Sequence, residues 1–87
     1  MGLKSSNDLW MAVLLYMRGK DWFRNKDLLE DTGKDRTAIK RIMNLLVKHG
    51  FFKDVKVSST LYYFKTESLQ KPEILEIYEQ YRKKDRR

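Results

Sequence analysis

Residues 35–52 read DRTAIKRIMNLLVKHGFF, and this stretch predicts a single basic, amphipathic helix. Asp35 is a good N-cap residue, and Gly50 ends the helix after about His49. Apolar side chains recur at the i, i+3, i+4, i+7 spacing, which predicts one buried helix face. This apolar stripe comprises Ile39, Ile42, Met43 and Leu46, with Ala38 and Leu45 at its edge.

The opposite face of this helix is polar and strongly basic. At about 100° per residue, its side chains fall within an arc of roughly 140°. They are Arg36, Thr37, Lys40, Arg41, Asn44 and Lys48. Acidic residues are absent beyond the cap, so the i,i+4 acid–base pairs typical of a solvated helix are missing. Thr37 and Asn44 suit hydrogen bonds to base edges, and arginine can bind guanine through two hydrogen bonds. The face therefore favours nucleic-acid binding over a merely solvated surface.

The charge of the chain is concentrated around this helix. The net charge is +7 over 87 residues. Residues 1–31 hold five basic and five acidic side chains, and residues 66–87 hold six and five. Residues 32–65 hold eight basic side chains and two acidic ones, so six of the seven excess charges lie there. A field of one sign confined to one segment attracts a polyanion.

The segments around the basic helix predict an α+β fold. A first helix is indicated by an apolar stripe of Leu9, Trp10, Val13, Leu14 and Met17. Residues 21–24 form a brief strand, residues 26–31 a short second helix, and Gly33 the turn into the basic helix. Residues 51–65, FFKDVKVSSTLYYFK, form a β-hairpin with strands near 51–57 and 60–65.

This order of elements resembles the winged helix-turn-helix DNA-binding regulators of bacteria, archaea and their viruses. The resemblance covers about residues 8–65. It is carried by FRNKDLL at 23–29, by Gly33, by TAIKRI at 37–42 and by LVKHGFF at 46–52. It implies a three-helix core with a hairpin wing, and a third helix that enters the major groove. The DNA contacts implied are those of the wing and of Arg36, Thr37, Lys40, Arg41 and Asn44.

The sequence therefore predicts a winged-helix domain at residues 1–66 and an added C-terminal helix within residues 67–87. The predicted function is sequence-specific binding of double-stranded DNA in transcription regulation. Lys34 and Lys48 would hold flanking phosphates. The wing would contact the backbone or the minor groove through Lys53, Lys56, Ser58 and Ser59. Two alternatives stay open: a module that docks its basic face on an acidic protein, and an RNA or single-strand binder that uses the aromatic residues of the wing.

The C-terminal helix begins at Pro72, which suits the first position of a helix. Its apolar stripe comprises Ile74, Leu75, Ile77, Tyr78 and Tyr81. This stripe could pack on the first helix of the same chain or on the same helix of a second subunit. The prediction favours the second arrangement, a homodimer, because two-fold pairing doubles the few base contacts of so small a domain.

Several classes of function are not expected. The chain has no cysteine, and its one histidine, His49, has no second metal-ligating residue close to it in sequence. No nucleophile–base pair or phosphate-binding glycine loop is visible, so we expect no enzyme activity, no cofactor and no metal. No signal peptide or apolar membrane-spanning run is visible either. We expect a cytoplasmic protein, associated with the nucleoid or, if the source is a virus, located in the host cytoplasm.

Overall fold

Four α-helices and three strands follow one another along the chain. The computed structural model describes the backbone of residues 2–85 and the side chains of residues 9–85. The elements are α1 Gly2–Met17, β1 Trp22–Arg24, α2 Asn25–Thr32, α3 Arg36–Lys48, β2 Phe52–Val57, β3 Thr60–Lys65 and α4 Pro72–Lys84, with a short 3-10 helix at Glu67–Gln70. The three strands form one antiparallel sheet with β3 in the centre. The predicted α+β class is confirmed, and the arrangement is compatible with a winged helix.

The ends of α3 lie where the local sequence signals place them. The carboxylate of Asp35 accepts a hydrogen bond from the backbone N–H of Ala38 at 3.0 Å, which caps the first turn. Gly33, just before this cap, has φ 64°, and Gly50, just after the helix, has φ 85°. Both values lie in the left-handed region that glycine adopts at little cost. Both ends of the helix are therefore fixed by local chemistry.

The first core lies between the sheet and the three N-terminal helices. Its buried side chains include Val13 of α1, Leu28 of α2, Ile39 and Met43 of α3, and Tyr63 of β3. Three of the four residues of the predicted α3 stripe are buried, and the fourth, Leu46, is partly buried against the same cluster. The inward face predicted for α3 is therefore confirmed.

The second core lies on the opposite face of the sheet, under α4. Successive strand residues point to opposite faces, so Tyr63 packs on the helices while Phe64 packs under α4. Phe64 is fully buried there together with Val55 and Ile74. Partly buried residues complete the cluster: Trp22, Tyr62, Leu69, Ile77, Tyr78 and Tyr81. Each side of the sheet is thus covered by helices of the same chain.

This second core changes the role predicted for the stripe of α4. Four of its five residues, Ile74, Ile77, Tyr78 and Tyr81, pack on the sheet of their own chain, and only Leu75 is largely exposed. The stripe therefore covers the sheet of its own chain and not α1. The sequence analysis did not consider the sheet, because it assigned no packing partner to the outer face of the hairpin. The homodimer stays a prediction, and Leu75 is the residue of the stripe that is left exposed.

A buried hydroxyl ties the connection between β3 and α4 to the first half of the chain. The hydroxyl of Ser68, in the 3-10 helix, donates to the carboxylate of Asp21 at 2.8 Å. Lys71 Nζ lies 2.9 Å from the same oxygen of Asp21. These two contacts fix the point from which α4 starts across the sheet.

Among residues 2–85, none of the helices combines the length and the apolar composition that crossing a bilayer requires.

Candidate nucleic-acid interface

The outward face of α3 presents the whole set of side chains predicted to contact DNA from this helix. All six are exposed: Arg36, Thr37, Lys40, Arg41, Asn44 and Lys48. Four of them, at residues 36, 40, 44 and 48, follow the i, i+4 spacing and form one row along the helix. At 1.5 Å per residue, this row is about 18 Å long. Thr37 and Arg41 form a second, shorter row beside it.

Packing of the inward face fixes the direction in which these rows point. Ile39 and Met43 are fully buried, and Ile42 is 4% exposed. A rotation of α3 about its axis would bring these side chains into water and the charged rows into the core. Burial of a single side chain of this size contributes about 1.5–3 kcal/mol, so the orientation is strongly held. The basic rows are therefore a fixed feature of the surface.

The cations of this face have no acidic partner within the part of the chain that the structure describes. The ion pairs there join Arg24 to Asp27, Lys71 to Asp21 and Arg82 to Glu79, with nitrogen–oxygen distances of 2.7–2.9 Å. None of these three pairs involves a cation of the outward face of α3.

Groups whose pKa departs from its usual value lie away from this face. Burial raises the pKa of Tyr16 to about 12, and the carboxylate of Asp31 adds to the effect. Hydrogen bonds from Lys71 and Ser68 lower the pKa of Asp21. Within the described residues, no group of three or more potential metal ligands is brought together. What the outward face of α3 offers is therefore charge and hydrogen-bond donors.

The β2–β3 hairpin supplies a second set of polar residues at its turn. Ser58 and Ser59 form the turn, and Ser58 has φ 57°, an uncommon conformation for a residue other than glycine. Lys56, two residues before the turn, is exposed together with both serines. These three predicted contact residues are grouped at the tip of the hairpin.

Lys53 is not part of this group. It shares a sheet face with Val55, which packs under α4, whereas Lys56 shares its face with Phe52, which packs towards the helices. Lys53 also lies five residues before Ser58, or about 16 Å along the strand. The structure therefore separates two lysines that the sequence analysis had assigned to one surface.

Lys34 lies in the short connection between α2 and α3, immediately before the Asp35 cap, and is exposed. Lys48 occupies the last turn of α3 and is exposed as well. Lys34 thus precedes the basic rows, and Lys48 is the last residue of the longer row, at the opposite end of the helix.

Besides Leu75, two leucines assigned to apolar stripes are exposed. Leu45, expected at the edge of the buried stripe of α3, is 41% exposed, next to the basic rows. Leu14, expected within the stripe of α1, is 50% exposed. Met11, Leu15 and Phe51 are exposed too. Leu45 was expected to be buried because it is apolar. Its position on the helical wheel indicated exposure, because it lies about 40° from Arg41 on the basic face.

The aromatic side chains of β3 lie inside the chain. Tyr63 and Phe64 are fully buried, and Tyr62 is half-buried with its ring centroid 4.6 Å from that of Tyr81. The ring of Trp22 stacks on that of Phe64 at 5.4 Å. Tyr63 and Phe64 are therefore not accessible to bases, whereas Tyr62 keeps part of its ring exposed.

Comparisons of the chain with protein-family models, with curated proteins and with solved structures find no match. The candidate interface therefore stands on the charge, exposure and geometry of its own residues.

Proposed function

We propose that the chain is a winged helix-turn-helix protein that binds double-stranded DNA in transcriptional control. In this proposal α2 and α3 are the helix-turn-helix, α3 is the recognition helix, and the β2–β3 hairpin is the wing. The observation that carries the proposal is the outward face of α3, where four exposed cations have no acidic partner among the described residues.

The dimensions of this face suit the major groove. The groove of B-DNA is about 12 Å wide and admits one α-helix. A row about 18 Å long on such a helix reaches from one wall of the groove to the other. Lys34 and Lys48, at the two ends, would bind phosphates on either side, which positions the helix without reading sequence.

Sequence reading falls to the side chains between these ends. Arg41 can donate two hydrogen bonds to guanine, and Asn44 can pair with adenine through its amide. Thr37 offers a hydroxyl and a methyl group. Lys40 and Arg36 add positive charge to the same face. At the wing, Lys56, Ser58 and Ser59 would contact the backbone or the minor groove. Lys53 is left out of this set because it lies about 16 Å along the strand from the turn.

The burial of the aromatic residues of β3 supports duplex DNA over single strands. A module that docks on an acidic protein would need the same basic face. The shape of the chain therefore suits both functions, and binding measurements distinguish DNA binding from protein docking. A homodimer through the stripe of α4 is not part of the proposal, because that stripe covers the sheet.

Salt-titrated binding tests the proposal directly. The chain is titrated against a random-sequence DNA duplex, the corresponding single strand and an RNA hairpin. We expect the tightest binding for the duplex. The logarithm of its binding constant should fall linearly with the logarithm of the salt concentration, with a slope of about −0.9 for each phosphate contact. Selection from a random duplex library should then enrich a defined site. Preference for the single strand or RNA would contradict the proposal, and no binding to any of the three at low salt would favour the acidic protein.

A further inference from the structure

The C-terminal helix α4 ends in two cations that its own glutamates do not pair with. Glu73 and Glu76 lie in its first turns, Glu79 pairs with Arg82 at 2.7 Å, and Lys83 and Lys84 follow in the last turn. The two ends are about 16 Å apart at 1.5 Å per residue. Residues 66–87 hold nearly equal numbers of basic and acidic side chains, but the charges are not spread evenly along the helix. What the C-terminal lysines can bind depends on where this end of the helix lies.

The contacts of α4 trace its path towards the tip of the hairpin. The ring of Tyr78 lies 5.3 Å from that of Phe64, and one turn later Tyr81 lies 4.6 Å from Tyr62. Tyr62 is two residues closer to the Ser58–Ser59 turn than Phe64. The basic end of α4 thus lies further along the hairpin, in the direction of its turn.

A hydrogen bond fixes this end to the hairpin. The carboxylate of Asp85 accepts from the backbone N–H of Lys56 at 3.1 Å. This N–H faces away from β3. Because β2 is an edge strand, no other strand covers that side, and the N–H is open to an external acceptor. Asp85 therefore joins the end of α4 to the hairpin two residues before its turn.

The two lysines before Asp85 are available for a partner. Lys83 and Lys84 are exposed, and neither forms an ion pair with another described residue. Arg82 differs, because its guanidinium is paired with Glu79 at 2.7 Å. Because Asp85 binds the backbone of Lys56, these two lysines lie on the segment that ends next to β2, two residues before its turn.

We infer that Lys83 and Lys84 form a second phosphate-binding patch beside the wing, and that Asp85 holds this patch in place. The inference rests on the proposed DNA binding and deepens it. The partner is the backbone of the same duplex, beyond the phosphates that the wing reaches. A duplex is favoured because the patch continues the basic surface of the hairpin, and a continuous polyanion can cover both.

The test compares two double variants that lose the same charge. Lys83→Ala/Lys84→Ala removes the patch. Arg18→Ala/Lys20→Ala removes two cations from the connection between α1 and β1, which lies at the other end of the sheet, beside Lys65 and Ser68. With a random-sequence duplex, we expect the first variant to flatten the salt slope by nearly two units and to weaken binding about tenfold or more near 0.1 M salt. The second should leave the slope unchanged to within about half a unit. Equal slopes in the two variants would overturn the patch.

Asp85→Ala tests whether Asp85 holds the patch in place. The loss of its charge and the loss of its hydrogen bond should change the affinity for the duplex in opposite directions. Removal of a negative charge next to DNA should by itself strengthen binding, whereas release of the basic end should weaken it. We expect weaker binding, and tighter binding would overturn the role of Asp85. Circular dichroism checks that each variant is folded.

The inference can fail while the proposed function stands. If Lys40→Ala/Arg41→Ala weakens duplex binding but Lys83→Ala/Lys84→Ala does not, only the patch is lost. If the unaltered chain binds no duplex at all, both are overturned.

Discussion

The ring of Tyr81 lies 4.6 Å from the ring of Tyr62, so the last helix of the chain packs on the central strand of its own sheet. Tyr81 also meets Trp22 and Phe64, each at 5.9 Å. Aromatic pairs at such distances contribute about 0.5–1.5 kcal/mol beyond the burial of their surface. Tyr81 therefore joins α4 to two different strands and is a main contact of the second core.

Replacement of Tyr81 by alanine should destabilise the fold. We expect a loss of about 2–4 kcal/mol in the free energy of unfolding, somewhat less than for a fully buried aromatic side chain. Urea denaturation followed by circular dichroism measures it. Leu75→Ala is the matched control on the same helix, because Leu75 is 41% exposed, and it should change stability by less than about 0.5 kcal/mol. A larger loss for Leu75→Ala than for Tyr81→Ala would mean that α4 is turned the other way, and equal losses would contradict the role of Tyr81 in the second core.

The orientation of α3 has a similar pair of test residues. Ile39 is fully buried in the first core, and Ile39→Ala should cost about 2–5 kcal/mol, which is a large share of the stability of so small a domain. Leu45, on the outward side of the same helix, should tolerate alanine with a loss below about 1 kcal/mol. Thermal or urea unfolding of both variants checks the difference. A larger loss for Leu45→Ala than for Ile39→Ala would contradict the orientation.

The contacts of Asp21 make part of the stability depend on pH. Because hydrogen bonds from Lys71 and Ser68 lower the pKa of Asp21 in the folded state, its contribution is complete above the ordinary aspartate pKa of about 3.9. That contribution is lost as the pH falls through the lower, folded-state pKa. Asp21→Ala should therefore unfold at a lower urea concentration than the unaltered chain near neutral pH.

The two urea midpoints should begin to converge below about pH 4, and they should coincide once the pH is below the folded-state pKa of Asp21. Glu76→Ala provides a comparison, since Glu76 is exposed on α4 and takes part in none of the ion pairs among the described residues. A midpoint difference for Asp21→Ala that persists unchanged in acid would contradict the role of the Asp21 carboxylate.

Local signals in the sequence were sufficient to predict α3 and the hairpin. Asp35 and Gly50 mark the ends of α3, and the spacing of Ile39, Ile42 and Met43 marks its buried face. These features depend on residues within a few positions of each other, so sequence alone reveals them. The same spacing gave the exposed residues of the candidate interface, because the face opposite a buried stripe must meet solvent.

Long-range contacts were beyond this kind of reasoning. The stripe of α4 shows that one face is covered, but the same stripe would suit a sheet, another helix or a second subunit. The bond from Ser68 to Asp21 spans 47 positions and has no local signature. The basic last turn of α4 is visible in the sequence, but its attachment to the hairpin is not, because the bond between Asp85 and Lys56 spans 29 positions.

Binding of a random-sequence duplex by Lys40→Ala/Arg41→Ala tests the central claim most directly, with Arg18→Ala/Lys20→Ala as the control of equal charge. Both substituted side chains of the test variant are exposed, so circular dichroism should show an unchanged fold. If α3 lies in the major groove, the salt slope of the test variant on the random-sequence duplex should flatten by about one unit for each phosphate contact removed. On the site enriched from the random library, the same variant should also lose about 1–3 kcal/mol of binding free energy for each base contact removed. The control should bind like the unaltered chain. Equal affinity and equal salt slope for the two folded variants would contradict DNA recognition by α3.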